Sequence, residues 1–335
     1  MKKILLTLAF VFGMGIKTSA LSTTAILLQH NGNITTYAAE DIATVMEDAT
    51  DGDEVFLNEG TYPGFTITKK LKISGVGEKS IISGDISIEI PDEPSLKENL
   101  FQFLKVNGNV VVNSALRNLL INQCYIEGMF QVKARLYDSY INRCSLYYLT
   151  ITGTYDEWIT IDEVTKVITH PYVNNLTVTN SVITSIAEGL GYSKNMSLNA
   201  SFVNCYINLA DGVLGNIVNS IVNKIWYSNP YKLYHTVFVN SYLNTTESER
   251  NVMPVAWDEE TCTLTGCYLG KGYLKYDSED IATNGYLGND GTIIGPLGGN
   301  TPFTLVPTVP HVTEASLKVD PKKQELNATL TVSPN

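Results

Sequence analysis

The apolar positions of this chain fall in short runs of β-branched and aromatic residues that alternate with polar ones, the period of a strand rather than of a helix. One phrase recurs. It appears at Ile121–Ile126, Ile141–Leu146, Val178–Ile183, Phe202–Ile207, Ile217–Val222, Phe238–Leu243 and Leu264–Leu269. In every copy an apolar residue stands three before a Cys or Ser and another stands two after it. The Cys/Ser positions are 20, 37, 24, 15, 21 and 26 residues apart. Periods of this size with β-branched strands indicate a solenoid. The 37 reads as one coil plus an insertion, and the 15 is short for a three-sided coil. The competing reading is a β-sandwich with coincidental Asn turns.

The residue before the Cys or Ser gives the phrase a mechanical meaning. Asn180, Asn204, Asn219 and Asn240 occupy it in four copies and Gly266 in a fifth. These types adopt a left-handed backbone most cheaply. One such residue between two short strands bends the chain, so that apolar residues on both sides point inward. Stacked coils would place Asn over Asn about 4.8 Å apart, with their amides bonding along the stack. The first two copies carry Asn one position early, at Asn122 and Asn142. The Cys/Ser position, just inside the bend, is read simply as small.

The two ends differ from this repeat. Ala38, Ala39, Ile42, Val45, Met46 and Ala49 lie on one face of a helix. Asp51-Gly52-Asp53-Glu54-Val55-Phe56-Leu57 and Glu59-Gly60-Thr61-Tyr62 follow, then the short strands Phe65–Ile67 and Leu71–Ser74. This opening resembles that of right-handed parallel β-helix proteins of the pectate-lyase-like superfamily, in which a short helix caps the first coil. The resemblance implies an all-β, right-handed parallel β-helix with an N-terminal capping helix and a C-terminal β tail. The expected divisions are 1–20 signal peptide, 21–50 N-terminal strand and capping helix, 51–295 parallel β-helix and 296–335 C-terminal tail or hairpin. Gly291–Pro296 and Gly298–Phe303 form a Pro/Gly-rich exit, and Ala315–Val319 and Leu326–Val332 alternate as two strands around Asp320–Lys323. This tail resembles those of exported β-helix proteins from Bacteroidetes.

Composition narrows the setting. Lys2 and Lys3, the apolar run Ile4–Gly15 and Thr18-Ser19-Ala20 have the layout of an export signal cut after Ala20. The expected location is therefore periplasmic, on the outer cell surface or secreted, and no later segment is apolar and long enough to span a membrane. Cleavage leaves 20 basic and 34 acidic side chains, a charge of about −14. Such a surface repels nucleic acid and anionic lipid. The five cysteines cannot all pair within one chain and show no metal-site spacing. They read as buried, reduced core residues.

Catalytic chemistry is not legible. Lyases of the resembled superfamily use acidic calcium ligands beside a catalytic Arg or Lys. This chain has four arginines, Arg117, Arg135, Arg143 and Arg250, none in a matching motif. Arg143, at a bend, reads as a solvated side chain. The paired-aspartate phrases of the superfamily's hydrolases are also missing. His30, His170, His235 and His311 have no nucleophile or carboxylate at suggestive spacing. What stands out is aromatic and acidic residues outside the repeat: Tyr155, Asp156, Glu157 and Trp158 in the insertion, with Asp162 and Glu163; then Trp226 and Tyr231; then Trp257. Aromatic rings stack on the C–H faces of sugars, and carboxylates accept their hydroxyl hydrogen bonds. The expectation is a non-catalytic module for a polysaccharide or cell-surface glycan, with no cofactor or metal. The alternatives are a polysaccharide lyase, for which Ca2+ would be needed, a glycoside hydrolase with a non-standard site, and a purely structural adhesin module.

Overall fold

In a computed structural model of the 335-residue chain, the described residues are 25–91, 99–151, 154–161, 164–171, 173–188, 199–211, 215–226, 236–244, 262–270, 272–306, 311–320 and 325–333. They form a right-handed parallel β-helix with three faces. On the first face one inward column runs from Val55 and Ile73 through Phe101, Ile121, Ile141, Val178, Phe202 and Ile217 to Phe238 and Leu264, each paired in register with the next. The second face stacks Tyr62, Ile82, Val106, Ile126, Leu146, Ile183, Ile207, Val222, Leu243 and Leu269. The third stacks Phe65, Ile86, Val110, Phe130, Leu149, Ile186 and Ala210. These columns make one continuous apolar core. The 15-residue step is a complete coil: its third-face strand ends at Asp211 and the first face restarts at Asn216. The 37-residue step is a coil plus a hairpin.

The bend between the first and second faces lies where the repeated phrase puts it. Phe103, Gln123, Arg143, Asn180, Asn204, Asn219, Asn240 and Gly266 all have φ between +45° and +63°. The Asn residues therefore hold equivalent positions on successive coils. Their amides do not bond along the stack, however. Amide-to-amide contact occurs one residue earlier, on the outer surface, where Asn142 Nδ2 donates to Asn122 Oδ1 at 2.8 Å and Thr179 Oγ1 donates to Asn142 Oδ1 at 2.8 Å.

The Cys/Ser column is more than small. The left-handed residue turns the next backbone N–H out of the strand ladder, and the side chain one coil further on receives it. Cys144 N donates to Ser181 Oγ at 3.1 Å, Cys205 N to Ser220 Oγ at 2.9 Å and Ser220 N to Ser241 Oγ at 3.1 Å. Cys124 N reaches Cys144 Sγ at 3.5 Å in the same way. Each hydroxyl in turn donates to a carbonyl two residues before it, as Ser220 does to Val218 O at 2.7 Å. The position requires a side chain that is both small and able to accept and donate, which an alanine is not. A second column of left-handed residues, Asn118, Asp138 and Asn175, repeats the device earlier in the first face, with Leu119 N donating to Ser139 Oγ at 3.2 Å.

The N-terminal end is covered. A hairpin of Ala25–His30 and Asn33–Ala38 lays its first strand antiparallel on the first coil, Leu28 facing Val55. The short helix Ile42–Asp48 then buries Ile42, Val45 and Met46 against the core. Sequence reading gave one strand here; the hairpin closes an edge that would otherwise template further pairing. At the other end the last stacked strand is Tyr268–Gly270. Residues 272–305 then turn back along the outside of the coils as a strap. Leu274, Ile281 and Ile294 cover outward-facing Tyr206, Ile221 and Tyr242 of the second face, forming a second apolar cluster. The strap continues across the bends. Asn219 Nδ2 donates to Asn289 Oδ1 at 2.8 Å, Asn180 Nδ2 to Gly298 O at 2.8 Å, Arg143 Nε to Thr301 O at 3.2 Å and Gln123 Nε2 to Thr304 O at 3.1 Å. The bend amides thus serve the strap instead of one another, and the Arg143 side chain is tied down. Residues 306–335 form a separate unit, in which His311–Asp320 and Glu325–Ser333 pair antiparallel as the expected C-terminal hairpin.

Three outcomes are expected. Ser220→Ala strands the Cys205 N–H and lowers stability by about 1–3 kcal/mol in denaturant unfolding, and Ser220→Cys costs less. Cys124, Cys144 and Cys205 are free thiols and buried. Burial pushes the Cys205 thiol up to about 12 and that of Cys144 well above its usual value. Native protein should therefore resist iodoacetamide at all three, and label fully once unfolded. Tyr206, buried and donating to the Tyr273 hydroxyl, has its pKa raised, chiefly by desolvation. The folded state keeps a proton that the unfolded chain loses above about pH 10. The stability that Tyr206 contributes is thus complete below that pH and is lost as pH rises through the raised value. Melting curves across alkaline pH should show this fall, and Tyr206→Phe should flatten it.

Candidate functional site

The coils are regular on the first two faces and irregular at one corner, where the third face returns to the first. Between some coils this passage is short, Val112 to Leu116 and Val132 to Leu136. Elsewhere more chain separates the third-face strand from the next first-face strand: Ile88 from Asn99, Ile151 from Val173, Glu188 from Asn199 and Trp226 from Val237. Long excursions at one edge of a solenoid line its binding surface.

Two of the sequence-derived candidates belong to this corner. Tyr155, Asp156, Glu157 and Trp158 lie on Thr154–Ile161, which pairs antiparallel with Val164–Pro171 as a two-stranded hairpin inserted after Ile151 of the third face. The register sets Trp158 opposite Val167, Asp156 opposite Thr169 and Tyr155 opposite His170. Trp226 ends the third-face strand Ile225–Trp226 and pairs in register with Asp211 of the coil before it. Tyr231 and Trp257 lie outside the described residues, as do Asp162, Glu163, His235 and Arg250. Sequence reading missed Asp211 and, earlier in the same outward column, Gln131 and Thr150, which pair with one another. Counting strand register from the Cys/Ser phrase would have found them.

A tight turn separates the second face from the third. Gly64, Gly84, Gly108 and Gly128 stack there so closely that a Cβ on Gly108 would overlap the Gly84 carbonyl. Beside them Asp85 Oδ1 accepts Asn109 N at 2.7 Å and Asn109 Oδ1 accepts Met129 N at 2.9 Å. The next coil replaces this turn with exposed Tyr147 and Tyr148, edge to face at 4.6 Å. They precede the strand end from which the hairpin departs.

A polar cluster at the N-terminal end resembles catalytic machinery but differs from it in geometry. His30 Nδ1 lies 2.9 Å from Asp53 Oδ1 and 3.0 Å from Thr50 Oγ1. A relay needs nucleophile and carboxylate on opposite ring nitrogens. Here both meet Nδ1, while Nε2 faces the amide of Asn31 at 2.8 Å. Asp53 also accepts Thr50 N at 2.7 Å, and Asp51 Oδ1 accepts Lys70 N of the following coil at 2.9 Å. The Asp51-Gly52-Asp53 phrase is therefore a fastener between cap and first coil. Two cations are engaged by carboxylates: Arg117 with Asp138 at 3.0 Å, and Lys105 with Glu127 at 2.9 Å, the hydrogen bond to Glu127 raising the Lys105 pKa. Among the described residues no three His, Cys, Asp or Glu side chains converge as a metal site, and no helix is long and apolar enough to cross a membrane.

Comparisons with protein-family models, curated proteins and solved structures returned no match. The architecture is that of a parallel β-helix, and function has to be argued from the site.

Proposed function

We propose that this is an exported, non-catalytic module of pectate-lyase-like type that binds a polysaccharide or cell-surface glycan. In this reading the site is the corner between the third and first faces. The observation that supports it most is that the Trp158 hairpin and Trp226 both belong to that corner, although 68 residues separate them in the chain. Stacking on two aromatic anchors, with Asp156 on the same strand as Trp158 and Asp211 paired in register with Trp226, suits sugar hydroxyls and C–H faces.

A glycan array with the protein tests this. A hit should weaken by about 1–2 kcal/mol on Trp158→Ala, and by a similar amount on Trp226→Ala, the scale of losing an aromatic anchor. The Trp158→Ala melting temperature should stay nearly unchanged, because the hairpin forms its own two-stranded sheet. A wild-type hit that survives both substitutions moves the site elsewhere, and no hit favours a structural adhesin module. A shortened product without added metal favours a hydrolase, and a calcium-dependent unsaturated product a lyase.

A further inference from the structure

The outer surface of the first face has an unusual composition. Consider the two residues that flank each inward member from Phe101 to Leu264, on eight consecutive strands. By strand alternation these sixteen positions point outward, and none of them is buried. None carries a charge; they are Asn, Gln, Thr, Ser, Tyr, Leu and Val. A typical surface is about 25–35% Asp, Glu, Lys and Arg, so about four or five charges are expected here. The chain does not lack them elsewhere. On the outside of the second face, Lys79 pairs with Glu59 at 3.0 Å and Lys105 with Glu127 at 2.9 Å.

Two further observations bear on what this face meets. In its first half the polar side chains bond along the stack: Tyr140 OH lies 2.8 Å from Thr179 Oγ1, and Asn142 joins Asn122. Groups already held by one another lose little when a partner covers them. In its second half the column turns to Val203, Val218, Val237 and Val239, all partly exposed. The strap covers the comparable apolar stripe of the second face, whereas among the described residues no such segment lies over these valines. The result is a strip about 34 Å long, eight strands at about 4.8 Å spacing, that opens on Leu100 and Leu120, carries Asn, Thr and Tyr side chains towards its middle and then the valines, and closes on exposed Thr263 and Thr265.

We propose that this strip is a second binding surface, whose ligand is an extended, uncharged polysaccharide chain. A polyanion would meet no cation on the strip and would be repelled by the surrounding acidic surface. A neutral glycan offers hydroxyls to the Asn and Thr groups and C–H faces to Tyr140 and the valines, and no charge has to be desolvated. The strip is a different surface from the hairpin corner and does not depend on it.

Affinity electrophoresis of the protein tests the proposal, through gels containing hydroxyethylcellulose, xyloglucan, galactomannan or dextran, with polygalacturonate and alginate in parallel. The expected result is retardation by at least one neutral polymer and by neither polyuronate. Introduced into a Trp158→Ala, Trp226→Ala background, which isolates the strip from the hairpin corner, Val218→Lys with Val237→Lys should weaken the remaining retardation about tenfold or more. Circular dichroism and the melting temperature confirm that the double-lysine variant folds; Tyr140→Phe, which removes only a surface hydroxyl, should give a smaller loss and guards against misfolding. No retardation by any neutral polymer overturns the proposal. So does retardation by polyuronates alone, or binding unchanged in the double-lysine variant. A dimer in sedimentation analysis that this variant dissolves would assign the strip to a second copy of the chain and overturn it equally.

Discussion

The structure depends on how one backbone N–H per coil is satisfied. A left-handed residue costs about 1–2 kcal/mol for any type but glycine, and an unpaired buried N–H costs about 1–3 kcal/mol more. Repeated over eight bends, an uncompensated cost of that size would exceed the stability of an ordinary domain. Ser and Cys side chains remove the second contribution: Cys144, Ser181, Ser220 and Ser241 each receive the N–H of the coil before and pass their own proton to a carbonyl. The bend can then recur, and apolar residues on both sides of it reach one core. The column of Asn residues is the visible mark of this arrangement in the sequence, but the less conspicuous Cys/Ser column beside it supplies the compensation.

Much of the fold was legible for that reason. Few residue types tolerate a left-handed backbone, so Asn180, Asn204, Asn219, Asn240 and Gly266 announce the bend, and the phrase around them announces the coil. Phe103, Gln123 and Arg143 hold the same conformation without belonging to the tolerant types, and only the flanking apolar spacing reveals them. The strap was less legible. Its contacts with the bends are made largely through carbonyls, at Gly298, Thr301 and Thr304, and every residue has a carbonyl. No side-chain signature marks such a segment, so its glycines and prolines read as an exit from the stack.

The candidate site divides in the same way. Tryptophans and paired carboxylates are conspicuous as residues, and Trp158 and Trp226 were found as such. Their common corner was not, because it follows from where each insertion leaves the coil, which requires the full register. The uncharged strip was invisible for the opposite reason. Its residues are ordinary taken singly, and only their alignment across eight strands shows that a strip of this face lacks charge.

The strap also changes the kind of cooperativity this solenoid has. Stacked repeats touch only their neighbours, so a plain solenoid behaves as a one-dimensional chain of coupled units in which ends fray and interior segments open semi-independently. Here one segment bonds to bends on the coils of Gln123, Arg143, Asn180 and Asn219, reaching back 181 residues in sequence. These bonds can form together only when the intervening coils are stacked in their native register. The strap thus converts nearest-neighbour coupling into coupling over several coils, and a coil slipped by one strand anywhere beneath it would leave the carbonyls of the strap facing the wrong bends.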